Sequence, residues 1–145
     1  MTKQLSTRNV ILYADDDEDD RNLIEEAFAV YQSNVDVICF VNGVEIISYL
    51  ESLSSLEPTP CLIILDINMP LLDGKEALRR IREMNKFAEI PAILFTTSSQ
   101  LKDKSFAEKY NAGFITKPID VEQLKTIADI FINHCTEEVQ KKIRE

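Results

Sequence analysis

Glycine is scarce in this chain, at 3 residues, and proline is little commoner, at 5. With so few breakers and 45% hydrophobic residues over 145 positions, fibrous and disordered classes are excluded. Cysteine comes to an odd 3, Cys39, Cys61 and Cys135, with no CxxC spacing. That pattern supports neither a disulfide framework nor a thiolate metal site. Cys39 and Cys61 lie in or beside apolar runs and read as small hydrophobes. Basic residues are also short, 16 Lys and Arg against 25 Asp and Glu, for a net charge of -9. That sign argues against phosphate-backbone binding and against an anionic membrane surface, so neither nucleic acid nor membrane is an expected partner. No apolar run nears the ~18 residues of a membrane span. The opening MTKQLSTRN lacks the apolar stretch of a secretory signal. The expectation is one acidic globular domain in a reducing cytoplasm.

What is present is alternation. Short apolar runs cover Val10 to Ala14, Val35 to Val41, Cys61 to Leu65, Ala92 to Phe95 and Gly113 to Thr116. The first, third and fourth are nearly continuous in hydrophobicity, as in parallel strands buried on both faces. Between the runs lie segments of helical period, carrying Leu23, Ile24, Ala27 and Phe28, then Val44, Ile47 and Leu50, then Ala77, Leu78 and Ile81. A weaker one spans Lys102 to Tyr110, and the last carries Leu124, Ile127, Ala128, Phe131 and Ile132. Strands alternating with helices imply right-handed crossovers. The fold class is therefore α/β, a five-stranded parallel sheet with helices on both faces. Residues 1–8 read as an N-terminal extension, 9–134 as the domain, and 135–145 as a helix extension or tail.

Ligands of open parallel sheets bind outside the carboxyl ends of the strands. Asp15, Asp16 and Asp17 follow the first run, Asp66 the third, Thr96, Thr97 and Ser98 the fourth, and Lys117 and Pro118 the fifth. Several carboxylates, hydroxyls and one lysine therefore converge on one sheet edge. Like charges held a few ångströms apart take up protons or hold a cation. Oxygen ligands without His or Cys select a hard ion, Mg2+ or Ca2+. Lys117 supplies a point charge suited to phosphoryl oxygens, and Thr96 a hydroxyl. The set suits phosphoryl transfer onto an aspartate. The rest of the acidic run, Glu18, Asp19 and Asp20, reads as a solvated helix start with Asp19 or Asp20 as N-cap. Asp15, Asp17, Asp19 and Glu26 also match a calcium loop, but its turn glycine is replaced by Asp20 and an apolar strand precedes it. Arg79, Arg80 and Arg82 read as a solvated helix face. The single histidine, His134, follows apolar residues near the chain end and reads as uninvolved in that chemistry.

Asp15-Asp16, the stretch LIILDINMPLLDG from Leu62 to Gly74, Thr96 and Lys117-Pro118 together resemble the receiver domain of two-component response regulators. The likeness spans roughly residues 8 to 134 and is closest to the single-domain, chemotaxis-type receiver. It implies a (βα)5 flavodoxin-like, doubly wound fold. It also implies that Asp66 accepts a phosphoryl group from a sensor histidine kinase or a histidine phosphotransfer protein. Asp16, Asp66 and the Asn68 carbonyl would ligate Mg2+, with Mn2+ as an alternative, and Asp15 would act through a metal-bound water. Thr96 and Lys117 would contact phosphoryl oxygens, Phe114 would be the switch aromatic, and Pro118 would shape the loop. Two positions depart from the common pattern: Thr97 stands where Ala or Gly is frequent, and Phe114 lacks the hydroxyl of a tyrosine.

The resemblance implies an output by switched protein binding, to an effector protein or a second copy in a homodimer. It implies no enzyme activity beyond the chain's own phosphorylation and dephosphorylation. A phosphorylation-independent scaffold of the same fold is the alternative. An aspartate-nucleophile phosphohydrolase is disfavoured because it needs a second aspartate two residues after the nucleophile, where Asn68 stands.

Overall fold

The computed structural model describes residues 9–54, 57–117 and 120–145. Strands β1 (Asn9–Ala14), β2 (Val35–Phe40), β3 (Leu62–Leu65), β4 (Ala92–Thr96) and β5 (Gly113–Thr116) form one sheet in the order β2-β1-β3-β4-β5. Every pairing is parallel, with Ile11 opposite Val37 and Leu62, and Leu65 opposite Leu94. The three runs of continuous hydrophobicity are the three central strands. Helices α1 (Glu18–Phe28), α2 (Gly43–Ser52), α3 (Gly74–Glu83), α4 (Leu101–Lys109), α5 (Val121–Ile132) and α6 (Glu137–Arg144) cover the sheet. The expected α/β class, a flavodoxin-like parallel sheet, is the fold observed.

Alternation along the strands divides the core into two layers. Leu12, Ala14, Ile63, Leu65 and Leu94 face Ile46 and Leu50 of α2, Leu78 and Ile81 of α3, and Ala107 of α4. Ile11, Tyr13, Leu62, Ile64, Ile93 and Phe95 face Ile24 and Phe28 of α1, Ile127 and Phe131 of α5, and Ile143 of α6. Burying both faces removes all but Asn9 and Val10 of the central-strand side chains from water and fixes the register, because a one-residue slip would exchange the two layers. No described helix is long and apolar enough to cross a membrane.

Beyond His134 the chain does not simply continue α5. It turns, and Thr136 opens a separate helix by accepting a hydrogen bond from the Val139 N–H at 3.3 Å. Ile143 is fully buried in the α1/α5 layer, and Asn34 donates to its carbonyl at 3.1 Å. Removing the cap in Thr136→Ala is expected to lower stability by about 1 kcal/mol, read as a shift in the urea midpoint.

Cys39, Cys61 and Cys135 are free thiols, and those of Cys61 and Cys135 are hydrogen-bond partners. Arg79 and Arg80 pair with Glu76 on the surface. Arg82 departs from the solvated reading. It is half-buried and donates to the carbonyls of Tyr110, Ala88, Ile90 and Asn111, tying the end of α3 to the loops before β4 and β5.

Candidate functional site at the carboxyl edge of the sheet

The parallel register brings the ends of β1, β3, β4 and β5 to one edge. Asp15 follows β1, where its N–H donates to Phe40 O at 3.0 Å, and Asp66 follows β3, its N–H donating to Ala14 O at 2.9 Å. Lys117 follows β5 and donates its backbone N–H to Thr96 O at 2.6 Å. Each site residue is thus held by a last rung of the sheet ladder, and side-chain position follows from strand register.

Asp15, Asp16 and Asp66 each offer a carboxylate oxygen, and those oxygens lie within 4.8 Å of one another. Asp15 and Asp66 are buried while Asp16 stands at the solvent rim. Lys117 is buried too, with Nζ 2.6 Å from Asp15 Oδ2, 2.9 Å from Asp20 Oδ2 and 3.6 Å from Asp66 Oδ2. Burial, followed by the charge of Asp15, pushes the Asp66 pKa up to about 6, against the opposing pull of Lys117 and the N–H groups of Asn68 and Ile67. Burial works against the charge of Lys117, yet its bonds to Asp15 and Asp20 hold its pKa above the ordinary lysine value. Three carboxylates around one ammonium leave an excess of negative charge. Oxygen-only donors at this spacing fit a hard divalent cation.

Thr96 is fully buried, and its Oγ1 accepts from the Ser98 N–H at 3.3 Å. Ser98 donates its hydroxyl to Asp103 of α4 at 2.5 Å, and Lys75 of α3 grips the other Asp103 oxygen at 2.8 Å. The loop that carries Thr97, which is exposed, is therefore clamped to two helices. Asn68 is exposed beside Asp66. Phe114 is partly buried against the α2/α3/α4 layer, with Lys104 Nζ 6.0 Å from its ring centre. Pro118 lies outside the described residues. His134 sits at the opposite edge, its ring against Gly113 at the start of β5.

Gly74 explains how α3 comes so near the nucleophile candidate. A Cβ there would lie 2.0 Å from the Asp66 carbonyl oxygen, and the Gly74 N–H donates to Ile67 O at 2.9 Å. The intervening loop turns through Leu71, exposed and at φ 67, a left-handed conformation that costs a branched residue about 1 kcal/mol.

Residues 11–129 match the family model described as response regulator receiver domain. The chain belongs to that family. Response regulator Rcp1 of Synechocystis sp. is 30% identical to it over 127 residues, 86% of each chain. The DNA-binding transcriptional regulator NtrC of Escherichia coli is 29% identical over 136 residues, which are 93% of this receiver and 27% of NtrC. Among solved structures, the phosphorylated cyanobacterial phytochrome response regulator RcpA aligns with a TM-score of 0.77 at 27% identity, over 89% of this chain and 97% of RcpA. The Mn2+-bound form of Rcp1 gives 0.73 at 26% identity, over 82% of this chain and 88% of Rcp1. Receiver domains of two-component systems accept phosphate from histidine kinases, and their role is signalling rather than turnover of a metabolite. The acidic cluster and the Mn2+-bound relative both favour a divalent-metal site here.

Two residues of this receiver's site escaped the sequence reading. Tyr13 is fully buried, and its hydroxyl donates to Asp15 Oδ2 at 2.5 Å; its one signal is a phenol in the otherwise aliphatic run Val10 to Ala14. Asp20 was expected to be a solvated helix start or the N-cap of α1. The N-cap is Asp17, which accepts from the Asp20 N–H at 3.2 Å, and the Asp20 carboxylate is free to reach Lys117.

Proposed function

We propose that this receiver accepts a phosphoryl group on Asp66 from the phosphohistidine of a sensor histidine kinase or histidine phosphotransfer protein, and signals by altered protein binding. The observation that supports it most is the meeting of Asp15, Asp16 and Asp66 within 4.8 Å, with Lys117 Nζ 3.6 Å from Asp66 Oδ2. An Asp66 oxygen attacks phosphorus in line. The new P–O bond forms as the P–N bond to the donor imidazole breaks, and the imidazole leaves with the electron pair and takes up a proton. Asp16, Asp66 and the Asn68 carbonyl would hold Mg2+, or Mn2+ in its place, with Asp15 acting through a bound water, and the ion would supply positive charge to the transferring oxygens. Lys117 pairs with one phosphoryl oxygen and the Thr96 hydroxyl donates to another.

The phosphoryl group carries about -1.5 to -2 charge and takes the place of the single carboxylate charge of Asp66, so the site gains up to about one negative charge and three acceptor oxygens. As Thr96 turns its hydroxyl toward that group, the bond that Oγ1 accepts from the Ser98 N–H is strained, which loosens the loop clamped by Asp103. Phe114, partly buried beside Leu94, responds by turning inward, and the surface of α4 and β5 changes for an effector protein or for a second copy. The chain turns over no substrate besides its own phosphoaspartate.

The test is intact-mass spectrometry after acetyl phosphate and Mg2+. One phosphoryl adduct is expected, and none when EDTA is present. If no adduct forms and a beryllium fluoride mimic also fails to bind, the phosphorylation-independent scaffold takes the place of this reading.

A further inference from the structure

The ammonium of Lys117 makes its two short bonds to Asp15 at 2.6 Å and Asp20 at 2.9 Å, whereas Asp66 lies beyond hydrogen-bond range at 3.6 Å. Asp66 is a buried carboxylate with the ammonium only 3.6 Å away, so an unrestrained lysine would close on it. Something must hold the lysine back. Asp15 does part of this: Tyr13 OH at 2.5 Å and the Asp17 N–H at 3.0 Å pin its two oxygens. A single pinned carboxylate fixes a distance but not a direction, because the lysine stem can swing about it. Asp20, from the first turn of α1, supplies the second point, and the Phe95 ring 5.0 Å from Nζ bounds the third side.

We propose that Asp20 is a positioning residue for phosphoryl transfer. It holds Lys117 toward α1 and off Asp66 before the donor arrives. This rests on the reading of Asp66 as phosphoacceptor. An Asp66 oxygen bonded to ammonium would have its lone pair engaged and its nucleophilicity lowered. Held at 3.6 Å, the lysine leaves that oxygen open to phosphorus and still lies within reach of an oxygen of the group that arrives. Asp20 is partly exposed, so as a mere surface ion pair it would contribute little to stability. The positioning role instead acts on rate.

The experiment compares wild type, Asp20→Asn and Asp20→Glu. Each is phosphorylated with acetyl phosphate and Mg2+ and followed by intact mass, and affinity for beryllium fluoride with Mg2+ is measured by calorimetry. Asp20→Asn is expected to slow phosphorylation by about tenfold. Its beryllium fluoride affinity should stay within about twofold, since once the phosphoryl-like group is in place Lys117 is held by that group. Asp20→Glu should recover most of the rate by restoring a charged second point. A crystal structure of Asp20→Asn should bring Lys117 Nζ to about 2.8 Å from Asp66.

An unchanged rate would overturn the proposal. So would a faster one, which would mean Asp20 acts by repelling the anionic donor. A parallel loss of rate and beryllium fluoride affinity would also overturn it, because that marks general damage to the site. Failure of wild type itself to gain an adduct would instead bring down the phosphoacceptor reading, and that result is visible without any substitution.

Discussion

Asp66→Asn is expected to abolish the acetyl phosphate adduct and, in EDTA at about pH 8, to make the protein harder to unfold. The first effect follows because an amide offers no anionic oxygen to phosphorus. The second is less intuitive, since a buried polar group is being replaced at a site it occupies well. Yet burial and the nearby Asp15 charge raise the Asp66 pKa from 3.8 to about 6, so the folded protein binds that proton more tightly than the unfolded chain does. The linked stability is present below about pH 4 and is lost as pH rises through about 6. At higher pH the ionised carboxylate is a net cost, on the order of 2 kcal/mol. The amide removes that charge and keeps an oxygen for the Ile67 and Asn68 N–H groups. Urea midpoints across the weakly acidic to weakly basic range should therefore fall with pH for wild type and stay flatter for Asp66→Asn. Mg2+ should narrow the gap by binding the wild-type cluster. If the variant proves less stable than wild type in EDTA at about pH 8, the balance of charges described for this site is wrong.

The fold was legible because the burial environment writes itself into hydrophobic pattern. Val10 to Ala14, Cys61 to Leu65 and Ala92 to Phe95 read as unbroken apolar runs because β1, β3 and β4 have a neighbour on each side and helices on each face. The second run carries Asp36 and the fifth ends in an exposed Thr116, as edge strands permit. The site was legible by one further rule, that the carboxyl ends of parallel strands meet. What stayed hidden depends on rotation about a helix axis. In the run Asp15 to Asp20 several side chains could cap α1, and the choice decides where the others point. Once β1 ends with the Asp15 N–H bonded to Phe40 O, Asp17 is the residue at the cap and Asp20 turns inward to Lys117. Arg82 and α6 were misread for a related reason. Nothing local says that four carbonyls from other loops await Arg82, or that Ile143 has a gap between α1 and α5 to fill.

Lys117→Met is expected to give the opposite sign from Asp66→Asn at the same cluster. Methionine matches the lysine stem in length and can lie over Phe95, so little packing is lost. What is lost is the ammonium facing Asp15, which is fully buried, Asp66, which is nearly so, and Asp20. Removing one partner of a buried ion pair leaves the other uncompensated, at a cost of about 3–5 kcal/mol. The deficit should be greatest in EDTA at about pH 8, because the orphaned carboxylates can then be relieved only by taking up protons. It should shrink as pH falls, since the raised pKa of Asp66 rises further once the lysine is gone and proton binding there favours the folded state. Mg2+ should raise the urea midpoint of Lys117→Met more than that of wild type, because the cation restores positive charge that the variant lacks. The phosphoryl adduct should form only slowly in that rescued protein, with no ammonium to neutralise the transferring oxygens. A Lys117→Met midpoint equal to wild type in EDTA would mean that the ammonium does not offset the carboxylate charge of the cluster, and the reading of Lys117 as its counter-charge would fail.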